Sequence, residues 1–286
     1  MGKRMDRMLF PGGKSKALTL GYDDGVVQDR RLVSLCGRWG VKCTFNLGSA
    51  VLGYQGSVPG SRGNAVDISK IPVEEVPSLY ADQDIGGHGL YHSALDQIGS
   101  PRAVYEIIED RRRLETISGR LVRMFAYPFG TFSGDVKQIL RLSGYEGART
   151  VRSTHAFSIP EDFLEWNPTC HHSDPELMNL AERFCTGHPL GPELFFLWGH
   201  TYEFDSDGSW YIIEKFLEYV SVYRETVWFA SNTEILDYVA AYRRLVYAAD
   251  GSMIYNPSAA DVWITINREP FRLPGGDCTP IPETPL

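Results

Sequence analysis

Segments typical of buried β-strands alternate with segments of helical periodicity along most of this chain, and this alternation limits the folds that it can adopt. Apolar, β-branched and aromatic residues predict strands over 16–22, 41–47 and 193–200. Helical spacing of apolar residues predicts helices over 29–39 and 101–117. Repeated β–α units join parallel strands through crossover helices. Because six or seven such units follow one another, we expect an α/β fold that closes, or nearly closes, into a barrel.

The same criteria predict the remaining elements of the barrel. Further strands are expected over 84–89, 121–128, 145–151 and 226–230. Further helices are expected over 135–144, 175–185, 210–223 and 232–249. Within the helix over 101–117, the basic run Arg111-Arg112-Arg113 lies beside acidic residues and is expected to lie on a solvated face.

Two segments depart from the alternation. Residues 53–70 are rich in glycine and serine and predict a long loop, with an entrance lid as one role. Residues 262–273 alternate like a pair of strands. We therefore divide the chain into a barrel over residues 1–250 and a short β extension over residues 251–286.

Charge and composition exclude several classes of partner. The net charge of −8 leaves no basic surface for phosphates, so a nucleic acid partner is not expected. No apolar run reaches transmembrane length, and the first 16 residues lack the hydrophobic segment of a signal peptide. The five cysteines show no C-x-x-C spacing and are typical of reduced thiols. We expect a cytoplasmic protein without a membrane partner.

Carboxylates and imidazoles follow three of the predicted strands. Asp23 and Asp24 come directly after the first strand, His88 and His92 follow residues 84–87, and His200 ends the strand over 193–200. In a barrel, the carboxyl ends of parallel strands form the rim that carries the active site. Asp23-Asp24-Gly25 alone is at least as typical of a turn. A turn, however, does not predict that the histidines lie on the same rim.

The spacing of His88 and His92 is compatible with a shared metal ion. On a helical turn, side chains four residues apart have Cβ atoms about 5–6 Å apart, whereas in an extended strand they would be roughly 13 Å apart. Ordinary surface or core histidines account equally well for the pair on its own. With a carboxylate from a neighbouring strand end, two histidines form an open triad that leaves positions for water and substrate.

The motifs "LTLGYDDG", "IGGHGLYH", "FAYPFG" and "LWGH" together resemble the polysaccharide deacetylase family in order and spacing. The resemblance covers about residues 16–240. It implies a distorted (β/α)7 barrel, a divalent metal that is commonly zinc, and removal of N-acetyl or sometimes O-acetyl groups from sugars. A divalent metal polarises an amide carbonyl and acidifies water, which suits this reaction.

The resemblance also assigns roles to individual residues. Asp24, His88 and His92 match the metal ligands, Asp23 matches the general base, and His200 matches the general acid. In addition, the backbone N–H of Phe129 matches a donor to the tetrahedral oxyanion.

The third motif departs from the family pattern. Ala126 stands where the family often has an arginine that orients the base, and Phe129 replaces the usual tyrosine. Arg149 and Arg123 are the candidate replacements for that arginine. Arg149 is favoured because it lies toward the end of the next strand, and we expect its guanidinium to contact Asp23.

Several further residues are predicted near the site. The expected substrate contacts are Tyr22, Tyr91, Tyr127, Trp166 and His171. Trp166 ends "DFLEW", which resembles a family motif that supplies a wall of the pocket and a carboxylate near the acid histidine. For Trp166, packing in the core is an equally good interpretation. Packing in the core is also the alternative interpretation for Tyr22 and Tyr91. "CHH" (170–172) is open to interpretation as a pocket rim, a substrate contact, a further metal ligand set or solvated histidines. Glu203 or Asp205 would be placed to orient an imidazole, and Asp205 could equally cap a helix.

We therefore expect a metal-dependent hydrolase that removes acetyl groups from an N-acetylated sugar, with zinc as the favoured ion. Hydrolysis of another small amide or formyl C–N bond and an inactive carbohydrate-binding barrel are the alternatives. A cytoplasmic enzyme does not easily reach cell-wall polymer, so a small carbohydrate or short oligosaccharide is the expected partner. A homo-oligomer is left open.

Overall fold

The computed structural model describes residues 7–282, and its main element is an eight-stranded parallel sheet. The strands are β1 (Lys16–Asp23), β2 (Cys43–Leu47), β3 (Asp84–Gly87), β4 (Met124–Ala126), β5 (Gly147–Arg149), β6 (Cys170–His171), β7 (Glu193–His200) and β8 (Val227–Phe229). Their spatial order is β5-β4-β3-β2-β1-β7-β6, and β8 pairs with the first half of β1. Each adjacent pair is parallel, so all the carboxyl ends meet at one rim.

One segment between β5 and β6 contacts both edges of this sheet. The N–H of Trp166 donates to Ala148 O at 2.9 Å, and Trp166 O accepts from the N–H of Thr150 at 3.0 Å, both beside β5. A few residues later, Cys170 and His171 pair with β7. The sheet therefore curls into the predicted distorted (β/α)7 barrel, and the fold class is confirmed.

Helices lie between successive strands, as the alternation predicts, except between β5 and β6, which are joined by a segment with a short 3-10 turn, Phe163–Glu165. They are α1 (Asp29–Trp39), α2 (Val76–Leu79), α3 (Ser100–Ser118), α4 (Gly134–Leu142), α5 (Leu177–Thr186), α6 (Thr201–Asp207), α7 (Trp210–Ser221) and α8 (Asn232–Arg243). Gly40 ends α1 in the left-handed conformation with φ 63°, where glycine has no Cβ penalty. Ser231 and Glu234 begin α8 with a capping box. Within residues 7–282, no helix combines the length and apolar character needed to span a bilayer.

Two of the predicted elements differ from the structure, one in where it ends and one in its type. The helix expected over 232–249 ends at Arg243, because Val246 and Tyr247 pair instead with Tyr255 and Ile254 as a short strand. Residues 53–70 are not an unstructured loop. They contain a hairpin of Ser57–Pro59 and Ala65–Asp67, whose turn docks on α6 through Ser61. This pairing was hidden because Gly and Ser dominate the composition of the segment.

The C-terminal residues form small antiparallel sheets. The predicted strand pair over 262–273 is confirmed as β10 (Val262–Ile266) and β11 (Glu269–Leu273), which follow β9 (Met253–Tyr255) and precede β12 (Cys278–Pro280). β9 pairs with β12, and β10 pairs with the strand Met8–Leu9 near the other end of the chain. The division into residues 1–250 and 251–286 stays a prediction, and residues 1–6 and 283–286 lie outside the described residues.

The hydroxyl of Tyr238 joins these sheets to α8. It donates to Leu9 O at 2.5 Å and accepts from the N–H of Trp263 at 2.9 Å. Leu9 and Trp263 face each other in the strand pairing, so one buried hydroxyl serves both strands.

Tyr238→Phe is expected to lower the free energy of unfolding by about 1–3 kcal/mol, because it leaves a carbonyl and an N–H without this partner. Urea unfolding of the purified variant measures the effect. Tyr211→Phe, at an exposed position on α7, is the matched control and should be near neutral. Equal stability of the two variants would contradict the assigned role of the Tyr238 hydroxyl.

Candidate functional site

The strand register places three polar residues side by side at the rim. Asp23, the last residue of β1, pairs with His200 on one side and with Asn46 on the other. Asp24 then leaves the strand in a left-handed conformation with φ 81°, which aspartate tolerates better than most residues. The triplet Asp23-Asp24-Gly25 is therefore both a turn and the point at which two acids meet the rim.

The two carboxylates have different partners. Asp24 Oδ1 lies 3.3 Å from Lys70 Nζ and 3.9 Å from His92 Nε2. Burial raises the pKa of Asp24, but Lys70 and the nearby histidines outweigh it and lower that pKa to about 2. Lys70 was missed in the sequence, because it ends a segment whose composition predicts only a loop.

His88 and His92 approach each other through a tight turn and not through the helical turn considered from their spacing. Gly89 has φ 77° and His92 has φ 57°, and the N–H of His92 donates to Gly89 O at 3.3 Å. The imidazole centroids are 4.6 Å apart. The required closeness is thus reached with backbone conformations that a helix does not contain.

One ligand atom each of Asp24, His88 and His92 lies within 4.8 Å of the others. The Nδ1 of His88 is 2.8 Å from Ala126 O, and a carbonyl can only accept, so Nδ1 carries the proton and Nε2 keeps its lone pair. Burial lowers the pKa of His88. Burial, followed by the nearness of the His88 ring, where two cations would repel each other, lowers the pKa of His92 to about 4. Two neutral imidazoles and one ionised carboxylate fit a divalent metal ion.

Two buried carboxylates on α3 hold the turn that carries these histidines. Asp110 accepts from the backbone N–H groups of Ser49 and His88 at 2.7 and 3.1 Å. Glu106, four residues earlier, accepts from the N–H of Tyr91 at 3.0 Å. Both side chains are fully buried. The helix buries this face because backbone donors of the rim need acceptors there.

Asp23 is surrounded by donors and cations. Asn46 Nδ2 donates to Oδ1 at 2.8 Å, and Arg149 Nη2 contacts Oδ2. Burial raises the pKa of Asp23, but Arg149 and then His88 outweigh it, so the pKa is lowered and the group is ionised at neutral pH.

The structure contains the predicted contact between Arg149 and Asp23. Arg149 on β5 pairs in register with Ala126 on β4, so the guanidinium comes from the strand next to the expected one, at the same level of the barrel. It lies 4.2 Å from the ring of Trp198. Arg123, the other candidate, is engaged on the surface with Glu146.

His200 faces Asp23 with one nitrogen and Glu203 with the other. Its Nε2 is 3.9 Å from Asp23 Oδ2, and its Nδ1 is 3.2 Å from Glu203 Oε1. Burial alone would lower the pKa of His200, but the hydrogen bond to Glu203 and the charge of Asp23 outweigh it and raise that pKa.

A second group of candidate ligands comprises His171, His172 and Glu203. In this group the hydrogen bonds favour an imidazole that donates to the carboxylate over an imidazole that binds a metal. The backbone N–H of Ser173 donates to Nδ1 of His171 at 3.2 Å, so that nitrogen must keep its lone pair. The proton of neutral His171 is therefore on Nε2, which faces Glu203 Oε2 at 3.1 Å. An imidazole in this state donates a hydrogen bond and has no lone pair on Nε2 for a metal.

The sequence matches a known family over slightly less than half of the chain, in the part that carries most of these residues. Residues 11–148 match the family model described as polysaccharide deacetylase. Over these residues the chain is similar to the polysaccharide deacetylase family. No functionally curated protein matches the chain.

Solved structures match the chain at low sequence identity, and one of them, with a TM-score above 0.5, shares its fold. A Mycobacterium smegmatis protein assigned to this family is 16% identical, with a TM-score of 0.58, and the match covers 83% of this chain and 94% of that one. A Streptococcus pyogenes deacetylase in complex with acetate is 15% identical, with a TM-score of 0.44, covering 51% and 61%. A Bacillus anthracis pseudoenzyme of the CE4 family is 20% identical, with a TM-score of 0.48, covering 80% and 67%. The chain thus spans less than two thirds of the Streptococcus protein.

Three of the predicted substrate contacts are wrong, because the side chains belong to the core of the deacetylase fold. Tyr22, Tyr127 and Trp166 are at most 1% exposed. Tyr127 donates to Leu164 O at 2.7 Å, and Trp166 packs edge-on against Phe163. A substrate at the rim does not reach these groups.

The remaining predicted contacts are accessible. Tyr91 and Phe129 are 48% and 64% exposed, and the ring of Phe129 stands edge-on to His92 with centroids 4.6 Å apart. His171 is partly exposed beside Glu203. The roles of Tyr91 and His171 as substrate contacts, and of the Phe129 N–H as an oxyanion donor, stay predictions. The carboxylate expected near His200 from "DFLEW" is not there, because Asp162 binds Lys137 at 2.8 Å.

A buried carboxyl group links the start of α6 to the end of α2. Asp29, at the start of α1, accepts from the hydroxyls of Thr201 and Tyr80 at 2.5 and 2.8 Å. Thr201 directly follows His200. Burial raises the pKa of Asp29 to about 7 despite these bonds.

This shift predicts a pH-dependent stability. Because the folded pKa lies above the unfolded one, the stability from Asp29 is fully present below about pH 4 and is lost as pH rises through about 7. We expect Asp29→Asn to be more stable relative to the wild type at pH 8 than at pH 5, by a few kcal/mol in order of magnitude. Urea unfolding at both pH values measures the difference. The matched control is Asp82→Asn, at an exposed position; a change between the two pH values that is no larger in Asp29→Asn than in this control would contradict the shift.

Proposed function

We propose that this protein is a metal-dependent hydrolase that removes the acetyl group from an N-acetylated sugar or short oligosaccharide, with Zn²⁺ as the ion. One observation carries the proposal: the adjacent acids Asp23 and Asp24 are engaged separately. Asp24 belongs to a group of potential ligands with His88 and His92, whereas Asp23 is held by Arg149 and Asn46.

The ion would be held by Asp24, His88 and His92. It would supply Lewis acidity, which polarises the acyl carbonyl and makes a water proton easier to remove. The fit rests on the lone pair that Ala126 O leaves on His88 Nε2 and on the neutral state of both imidazoles.

Asp23 is suited to act as the general base. It is ionised, and Asn46 and Arg149 hold its two oxygens so that it cannot turn away from the rim. The base takes one proton from the attacking water, whose oxygen bonds to the acetyl carbon.

His200 is suited to act as the general acid. Its Nε2 and Asp23 Oδ2 are 3.9 Å apart, so the two groups border one small space from two sides. As the C–N bond breaks, the imidazolium proton passes from Nε2 to the departing nitrogen, which leaves acetate and a free amine. A raised pKa keeps this proton available near neutral pH.

Short substrates are proposed on the expectation of a cytoplasmic location. Comparable rates on polymeric glycan and on mono- to trisaccharides would contradict this part of the proposal.

Acetate release from N-acetylated mono- and oligosaccharides tests the reaction. Chelation should abolish it, and Zn²⁺ should restore it. Asp23→Asn should lower kcat by about 10²–10⁴-fold with the ion retained, because only the base is lost, whereas Asp24→Asn should lose the ion. Asp82→Asn, at an exposed position, is the matched control.

Three other outcomes would redirect the assignment. Turnover of a non-sugar amide or a formyl group without acetate release would favour hydrolysis of another C–N bond. Sugar binding without any turnover of the metal-loaded protein would favour a carbohydrate-binding barrel. Full activity of Asp23→Asn would remove the proposed base.

A further inference from the structure

We propose that Glu203 is the positioning residue for His200, and that Nε2–H groups of His171 and His172 fix its carboxylate in a metal-free hydrogen-bonded cluster. The inference rests on the proposed function in so far as His200 is the acid. The arrangement itself is independent of any activity.

Both oxygens of Glu203 face imidazoles. Oε1 is 3.2 Å from His200 Nδ1, and Oε2 is 3.1 and 3.2 Å from the Nε2 atoms of His171 and His172. Because α6 begins directly after His200, Glu203 also accepts from the backbone N–H of His200 at 3.4 Å. Burial raises the pKa of Glu203, but the hydrogen bonds from His171 and His200 outweigh it and lower that pKa, so the carboxylate is ionised.

His171 is a donor because of its neighbour. Its Nδ1 accepts from both the N–H and the hydroxyl of Ser173, at 3.2 and 2.7 Å. A nitrogen that accepts two hydrogen bonds carries no proton, which leaves the proton on Nε2 beside Glu203.

His172 is a donor because of its burial. Its ring is 2% exposed and stacks on Phe204 with centroids 4.1 Å apart and on Tyr22 at 5.7 Å. Burial, and then the nearness of the His171 ring, which would repel a second cation, lowers its pKa to about 3, so the imidazole is neutral. Among the described residues, Nδ1 of His172 has no hydrogen-bond partner. A buried lone pair costs less than a buried unpaired N–H, which places the single proton on Nε2 facing Glu203.

A carboxylate held in this way fixes the acid. His200 donates Nδ1–H to Glu203, and its Nε2 is consequently directed at the space beside Asp23. The titratable groups that face His200 are Asp23, Asp24, Glu203, Tyr202 and His171. Of the three carboxylates, only Glu203 hydrogen-bonds to the imidazole.

The pKa of His200, followed by its ring NMR signals in the metal-free protein, tests the role of Glu203. In Glu203→Gln the pKa should fall by about one, since a charge-assisted hydrogen bond is lost. Because activity requires protonated His200, the decline of kcat/KM with rising pH should then begin at a correspondingly lower pH. Glu203→Asp should recover part of the shift. Asp162→Asn, which alters the carboxylate expected from the sequence, should leave the pKa of His200 unchanged.

His171→Gln gives a second test at a partly exposed position, where folding is not at risk. The pKa of His200 should change in the same direction and by less than in Glu203→Gln. An unchanged pKa in both variants would overturn the proposal. A lowered pKa in a protein that releases no acetate would keep the positioning role and reject the proposed function.

Titration with Zn²⁺ alone distinguishes the cluster from a second metal site. We expect one ion per chain, with the same stoichiometry in His171→Gln and Glu203→Gln. A second equivalent that disappears in both variants would overturn the proposal, because the cluster would then be a ligand set.

Discussion

The buried ion pair between Asp23 and Arg149 is the interaction on which the site depends. Placing a carboxylate with almost no solvent contact at the end of β1 is costly unless a cation and a hydrogen-bond donor compensate it. Arg149 supplies the charge and Asn46 the hydrogen bond. With Asp23 held in this way, the neighbouring Asp24 carboxylate lies beside His88 and His92 and can act with them as a ligand. Removing the guanidinium would leave an isolated buried charge, so the ionisation of the base and the integrity of the rim are coupled.

Backbone donors shape the rim as much as side chains do. The turns after β2 and β3 end with N–H groups directed into the protein, and α3 meets them with the carboxylates of Asp110 and Glu106. These contacts fix the path of the chain from His88 to His92. The position of both candidate ligands therefore depends on a helix that contributes no group to the chemistry.

Much of the fold and of the rim could be predicted from the sequence, and the residues that were misplaced or missed have physical explanations. Parallel alternation fixes which residues reach the rim, so Asp23, His88 and His200 were identified from the ends of strands. Periodicity does not show how tightly helices cover the outside of a curled sheet, and for this reason Tyr22 and Trp166 were misplaced. The cluster around Glu203 depends on β6 lying beside β7, a long-range pairing without a local signature in the sequence. The roles of the candidate site residues stay predictions.

Gly199, which precedes His200 in β7, has no functional group and still limits what this site tolerates. A Cβ atom at this position would lie 1.9 Å from Nδ1 of His172. Because His172 is stacked against aromatic rings, it has no room to retreat. A single methyl group would therefore push one imidazole out of the cluster and loosen the carboxylate beside the acid.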